Sequence, residues 1–262
     1  MLKRTEGIVL KSMVFGEADL IVTYLTLDCG LLRVFAKSPR KVKSRFGSSL
    51  EPLTYSRISF FGKEHAGLPR LTQSDILRPF HVLREDFSSM LHMTEMLELN
   101  LNFLPDHEPH PDIFSLLLSA LLKLEKDKEN PLYYLSYKIK FLKQAGYSPR
   151  LDACGRCGSP AGIGGVARPH HHFYVSHGAI MCPGCIENRD TPIRVSERAL
   201  KFYRGLSSWK MANLDRVKAP EGLLAEIVVL INSHIAYIRG SAKGTGKDAL
   251  NIVHGGRFNV HV

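Results

Sequence analysis

Four of the five cysteines in this chain fall in two pairs, Cys154-Gly155-Arg156-Cys157 and Cys182-Pro183-Gly184-Cys185. Each C-x-x-C lets a tight turn aim two sulfurs at one ion, and two such turns complete a closed, tetrahedral four-sulfur shell. The stretch between them, Gly158 to Met181, is a little longer than the usual range of about 15 to 20 residues for paired zinc knuckles. Its Gly162-Ile163-Gly164-Gly165 and Ser176-His177-Gly178 segments suit a folded-back ribbon. One structural Zn2+ on Cys154, Cys157, Cys182 and Cys185 is therefore expected, with Cys29 outside the shell.

Other thiol chemistry fits less well. A redox C-x-x-C needs a low-pKa thiolate, usually at a helix start after a strand, and no helical pattern follows Cys154 directly. A catalytic zinc keeps an open coordination position, which four thiolates do not leave. A zinc deaminase would need H-x-E upstream of P-C-x-x-C, and here the proline lies inside the second pair. The metal reads as a staple, coupled to the folding of its own segment.

The elements that must position this staple are bounded by composition. With 262 residues, 44% of them hydrophobic, the chain can bury a real core and suits two domains better than one. The start, Met1-Leu2-Lys3-Arg4-Thr5-Glu6, lacks an apolar targeting region, and the apolar stretches Phe114 to Leu122 and Ile227 to Ile231 are too short to span a bilayer. A cytoplasmic protein with no membrane contact is expected, and the lone Cys29 agrees with a reducing compartment.

The net charge of +10 calls for a polyanionic partner. Residues 1 to 80 hold 13 Lys and Arg against 7 Asp and Glu, and Lys37, Arg40, Lys41, Lys43 and Arg45 put five cations in nine residues. The same region reads as five short strands, Thr5 to Phe15, Leu20 to Leu27, Leu31 to Lys37, Leu53 to Phe61 and Leu68 to Leu77, punctuated by Gly16, Asp28-Cys29-Gly30 and Gly62. Five strands in this length suggest an OB-fold barrel, whose second and third strands form the usual oligonucleotide surface. Period-two spacing in the third strand turns Leu32, Val34 and Ala36 inward and Arg33, Phe35 and Lys37 outward. That outward trio could pair phosphates with two cations and stack a base on Phe35; alternatively, Phe35 packs against a neighbouring domain.

After Arg78-Pro79-Phe80 the spacing becomes helical. Phe87, Met90, Leu91, Met96, Leu97, Leu101 and Leu104 mark a helix over 83 to 104 whose apolar stripe is read as core, broken by Pro105 to Pro111. Helices over 112 to 124 and 131 to 144 follow, the latter capped by Asn130-Pro131 and closed by Gly146 and Pro149; two more are expected over 196 to 207 and 222 to 238. The expected fold is thus α+β and multidomain: an N-terminal five-stranded OB-fold β-barrel over 1–80, then a mostly helical domain over 81–240 with a four-cysteine zinc ribbon inserted at about 150–190, and a tail over 241–262. His170, His171, His172 and His177 read as exposed loop residues. Gly244-Thr245-Gly246-Lys247-Asp248 lacks the first glycine and the Ser or Thr of a phosphate-binding loop and reads as flexible tail.

Taken in order, Glu6-Gly7-Ile8-Val9-Leu10-Lys11, Gly16-Glu17-Ala18-Asp19-Leu20-Ile21-Val22 and Gly30-Leu31-Leu32-Arg33-Val34-Phe35-Ala36-Lys37 resemble the start of the RecO family of bacterial recombination mediators. Phe141-Leu142-Lys143-Gln144-Ala145-Gly146-Tyr147-Ser148-Pro149 leading into the first cysteine pair, and His177-Gly178-Ala179-Ile180-Met181 leading into the second, resemble the family's ribbon. The resemblance covers roughly Leu2 to Ile238; Ser241 to Val262 departs from it. It implies a non-catalytic DNA repair protein, nucleoid-associated, that binds single- and double-stranded DNA, anneals complementary strands and, with RecR, helps load recombinase onto protein-coated single strands. It also implies contact with the acidic C-terminal tail of single-stranded DNA-binding protein.

Two rivals stand beside that reading. A zinc-ribbon OB-fold factor handling RNA in translation or tRNA metabolism would show the same charges, since discrimination by the 2′-OH leaves no sequence signature. An enzyme acting on nucleic acid, its site in the helical domain, would also match, although no nucleophile and base stand in a recognisable motif.

Overall fold

A computed structural model describes residues 1–40, 44–62, 67–160, 170–186 and 191–242. The chain divides into two compact units, Met1–Tyr137 and the segment from Lys138 onward.

The first unit is built on five strands, β1 (Leu2–Phe15), β2 (Asp19–Thr26), β3 (Gly30–Ala36), β4 (Tyr55–Phe61) and β5 (Arg70–Arg78), closed in the order β1-β2-β3-β5-β4. All neighbours are antiparallel except β3 and β5, which run parallel through the Phe35 and Arg70 pair. This is the OB-fold arrangement expected from five punctuated strands. Its interior is filled by Val9, Val22, Tyr24, Leu32, Val34, Ala36, Ile58, Phe60 and Leu71, with Phe46 and Leu50 from the segment before β4. The period-two assignment of β3 holds residue by residue: Leu32, Val34 and Ala36 are fully buried, whereas Arg33 and Lys37 are exposed and Phe35 is half-buried. At the β2 to β3 turn, Gly30 has φ +65°, and a Cβ there would lie 2.0 Å from the Glu108 carbonyl oxygen, so only glycine fits.

Three helices follow, α1 (Phe87–Phe103), α2 (Pro111–Leu124) and α3 (Pro131–Gln144), the last running across the division between units. The single helix expected over 83 to 104 is instead a short 3-10 turn, His81–Arg84, and then α1, started by Asp86 accepting from the Ser89 N–H at 2.8 Å. The apolar stripe of α1 also needs correction. Met96 and Leu97 are buried, together with Met93, Leu99 and Asn100, but Phe87, Met90 and Leu91 are exposed, Phe87 by 81%. Buried Asn100 fixes the helical register by donating to the Met96 carbonyl at 2.7 Å and to Tyr137 Oη at 2.6 Å. Asn130 caps α3 through the Leu132 N–H at 3.1 Å, as Asn130-Pro131 predicts.

The second unit contains a three-stranded antiparallel sheet in the order β7-β6-β8, from β6 (His170–Tyr174), β7 (Ala179–Met181) and β8 (Ile193–Ser196), and two helices, α4 (Glu197–Ser208) and α5 (Glu221–Ala242). Ser196 joins them: its hydroxyl oxygen accepts from the Ala199 N–H at 3.1 Å, while its own N–H and O–H donate to the Glu226 carboxylate. Lys138 Nζ donates to Asn232 and Lys140 Nζ to the Ser207 carbonyl, tying the end of α3 to α5 and α4.

Helix α5 extends into the stretch assigned to a tail, and over Glu221–Gly240 it is long and apolar enough to cross a membrane by length and composition. Counting uninterrupted apolar residues missed this, because Glu226, Asn232 and His234 break the run while the remaining residues keep its average high. All three are bonded within the second unit. The Gly244 to Asp248 segment lies outside the described residues.

Candidate metal centre and nucleic-acid interface

The two cysteine pairs sit on two knuckles held together by backbone hydrogen bonds. The Gly155 N–H donates to the Ile180 carbonyl at 2.9 Å, and Arg150 exchanges two bonds with the Gly178 to Ile180 segment, so the first knuckle lies against β7. Gly155 is required there, because a Cβ would lie 2.6 Å from that of Ala179. The second knuckle is a 3-10 turn over Pro183–Cys185, with Pro183 at its first position.

These turns place the four ligand sulfurs of Cys154, Cys157, Cys182 and Cys185 within 4.8 Å of one another, with Cys157 and Cys182 3.6 Å apart. A tetrahedral shell with metal to sulfur bonds of about 2.3 Å has edges of about 3.8 Å, so the cluster needs little adjustment to hold a metal ion. Cys154 is buried against Tyr174 and Met181, Cys182 and Cys185 are partly buried, and Cys157 is exposed beside Ser159.

The electrostatics also call for a cation. Burial pushes the Cys154 thiol up, but backbone N–H groups of Cys157, Cys182 and Arg156 outweigh it and bring it down to about 6. Cys185 goes the other way, to about 12, because the hydrogen bond to Cys182 and burial, with Cys157 and Cys154 close by, oppose a further negative charge. Ionisation at Cys185 is thus opposed by its sulfur neighbours, and a cation among the sulfurs would relieve that opposition.

Three of the four histidines read as exposed loop residues are strand residues instead, while His177 lies in the exposed turn between β6 and β7. His170, His171 and His172 form most of β6, the middle strand of the sheet, and His177 lies in a 3-10 turn over Val175–His177. His171 is nearly buried and faces Glu197 at 2.7 Å, linking the ribbon to the start of α4. Three consecutive histidines carry no period, so nothing in the sequence marked them as a strand.

On the barrel, Arg33 and Phe35 share the outer face of β3 as expected and Lys37 is exposed just past the strand's end at Ala36, but four of the site residues, Arg33, Phe35, Arg40 and Arg45, have partners within the first unit. Arg33 is ion-paired with Asp106 at 2.7 Å, and the Arg45 guanidinium lies 4.9 Å from the centre of the Phe46 ring. Phe35 meets Phe15 edge to face, the ring centres 6.0 Å apart. The Arg40 guanidinium donates to the Glu17 carbonyl and the Ser38 N–H to the Asp19 carboxylate, so the chain leaving β3 is held on the β1 to β2 turn. Phe15, Phe35, Lys37 and Arg40 are thereby gathered at one end of the barrel. Lys41 and Lys43 lie outside the described residues.

The sequence reading missed Phe15. With Met13 and Val14 it forms an exposed apolar strand end just before Gly16, and an apolar run beside a polar turn was the available signal.

Comparison with known proteins places the chain among its relatives. Residues 1–80 match the family model described as recombination protein O N terminal, and residues 84–240 match that described as recombination protein O C terminal. The DNA repair protein RecO of Thermodesulfovibrio yellowstonii is 43% identical over 91% of this chain and 94% of its own length. Those of Myxococcus xanthus and Dehalococcoides mccartyi are 33% and 31% identical, each over 90% of this chain and 91% and 90% of their own lengths.

Proposed function

This chain belongs to the RecO family of DNA repair proteins, and on that footing we propose that it is a non-catalytic recombination mediator. It binds single- and double-stranded DNA on the barrel, anneals complementary strands and helps load recombinase onto protein-coated single strands. The observation that carries the DNA-binding part is the cluster at the end of the barrel, where Phe15 and the half-buried Phe35 stand beside Lys37 and Arg40. A single strand is held sequence-independently by that combination, its phosphates on cations and its bases on aromatic rings.

Zn2+ is the metal that best suits the four-thiolate set, and it supplies a closed cross-link that makes folding of the ribbon dependent on the ion. Cys154, Cys157, Cys182 and Cys185 hold it. Gly155 lets the first knuckle close onto β7, and His171 with Glu197 ties the ribbon to α4. No proton or group transfer is assigned to these residues.

RecR and the acidic C-terminal tail of single-stranded DNA-binding protein are the proposed partners, in the cytoplasm at the nucleoid and away from membranes. The reading is tested by equilibrium binding of labelled single-stranded DNA, with matched RNA as competitor, to the full-length zinc-loaded protein, and by co-purification from bacterial lysate. DNA preference with recovery of RecR supports it. RNA preference, or turnover of the nucleic acid, contradicts it.

A further inference from the structure

The basic excess of the first eighty residues is not the whole of the chain's positive charge. Residues 191 to 220 hold seven Lys and Arg (Arg194, Arg198, Lys201, Arg204, Lys210, Arg216, Lys218) against two acids, Glu197 and Asp215. Glu197 is engaged by His171. Among the described residues Arg198 and Lys201 have no acidic partner, and both are exposed.

These cations flank the single tryptophan of the protein. Arg198, Lys201, Phe202 and Gly205 stand at i, i+3, i+4 and i+7 and share one face of α4. Trp209, just past the helix end, folds back over this face, and its backbone N–H donates to the Gly205 carbonyl at 2.8 Å. A Cβ at Gly205 would lie 2.5 Å from the indole ring, so glycine is what lets the ring rest on the helix. Phe202 meets the same ring edge to face, 5.7 Å between centres at 74°. The indole is therefore fixed, yet 37% of Trp209 remains exposed. Together with Leu223 of α5 these side chains line a shallow depression of about 340 Å³.

We infer that this depression is a second single-stranded nucleic-acid contact, in which a base stacks on Trp209 while Arg198 and Lys201 hold the adjoining phosphates. The inference rests on the reading of the chain as a DNA-binding protein and adds a second site to it. A fixed ring with an open side suits a planar base, which loses little freedom on stacking, and unpartnered cations on the same helix face suit the phosphates. A peptide side chain would gain little from so shallow a surface, and the basic character continues through Lys210, Arg216 and Lys218. A protein that brings complementary strands together has use for two anionic backbones on one chain, which repel each other unless cations offset them.

Because Trp209 is the sole tryptophan, its fluorescence reports the site directly. The full-length zinc-loaded protein is titrated with an end-labelled short oligothymidylate, while label anisotropy and Trp209 emission are followed together. Quenching of Trp209 that salt reverses is expected. In Arg198→Ala/Lys201→Ala, which keeps the tryptophan, quenching should require at least about fivefold more DNA and the salt slope should fall by about 1.4, for two phosphate contacts.

Full binding by anisotropy with unchanged Trp209 emission would overturn the second site and leave the barrel reading intact. No binding by either signal would overturn the reading on which it rests, and the second site with it. Quenching by an acidic peptide but not by the oligonucleotide would overturn it in favour of a peptide site, and quenching that persists unaltered in the double variant would overturn the assignment of the cations.

Discussion

The Arg33 guanidinium donates to the Asp106 carboxylate at 2.7 Å, an ion pair between the outer face of β3 and the turn that follows α1. Both side chains are about half exposed, so the pair is screened by solvent and contributes at most about 1 kcal/mol to stability. On the proposed DNA-binding reading, a phosphate would have to compete with Asp106 for this cation.

Asp106→Asn should therefore strengthen single-strand binding at low salt with little change in thermal stability. If Arg33 then takes up one phosphate, the slope of log K against log salt steepens by about 0.7. Binding isotherms at several salt concentrations check this; an unchanged slope would show that Arg33 does not reach the strand.

Phe35 tests stacking separately from charge. Phe35→Ala should weaken single-strand binding by about 1 to 3 kcal/mol with the salt slope preserved, because a lost stacking contact releases no counterions. Phe15→Ala should lower affinity too, since Phe15 meets the Phe35 ring edge to face. Affinities measured at two salt concentrations separate the two kinds of loss.

Metal analysis of single variants checks the centre. Cys154→Ser, Cys157→Ser, Cys182→Ser and Cys185→Ser should each lose the zinc equivalent and unfold at lower temperature, whereas Cys29→Ser keeps both. Full zinc and unaltered melting in Cys182→Ser would contradict the four-thiolate assignment.

Acid sensitivity follows from His234. Burial lowers its pKa, a bond donated to the Tyr147 carbonyl at 2.8 Å partly opposes this, and Phe173 packs at the ring. The unfolded chain takes up the proton near pH 6.5 and the folded chain resists it until lower pH, so the unfolded state binds more protons in that window. Stability contributed here is present above about pH 6.5 and lost as pH falls below it. Denaturant titrations at pH 7.5 and 6.0 should show a smaller drop for His234→Gln than for the parent protein.

The barrel was legible in the sequence because period-two burial is a local property: Leu32, Val34 and Ala36 alternate with Arg33, Phe35 and Lys37 whatever lies beyond them. The four-cysteine cluster was legible because its spacing is set by two local turns. Tertiary contacts were not. Asp106 lies 73 residues from Arg33, and the Pro105 to Pro111 stretch read only as a helix breaker although it returns to β3, where Leu31 bridges Asp106. In α1, Phe87, Met90 and Leu91 share the helical spacing of Met96 and Leu97, and periodicity cannot tell a buried turn of helix from an exposed one. The ribbon strand over His170–Tyr174 was hidden because histidine runs carry no alternation and its two pairing partners, β7 and β8, both lie further along the chain.

The most direct measurement of the central claim is the salt dependence of single-strand binding by the full-length protein and by a variant with Lys37, Arg40, Lys41, Lys43 and Arg45 changed to alanine. Loss of three or four phosphate contacts should reduce the slope of log K against log salt by about two to three, and weaken binding on every sequence alike, because phosphates carry no base information. An unchanged slope would contradict the barrel as the DNA-binding surface.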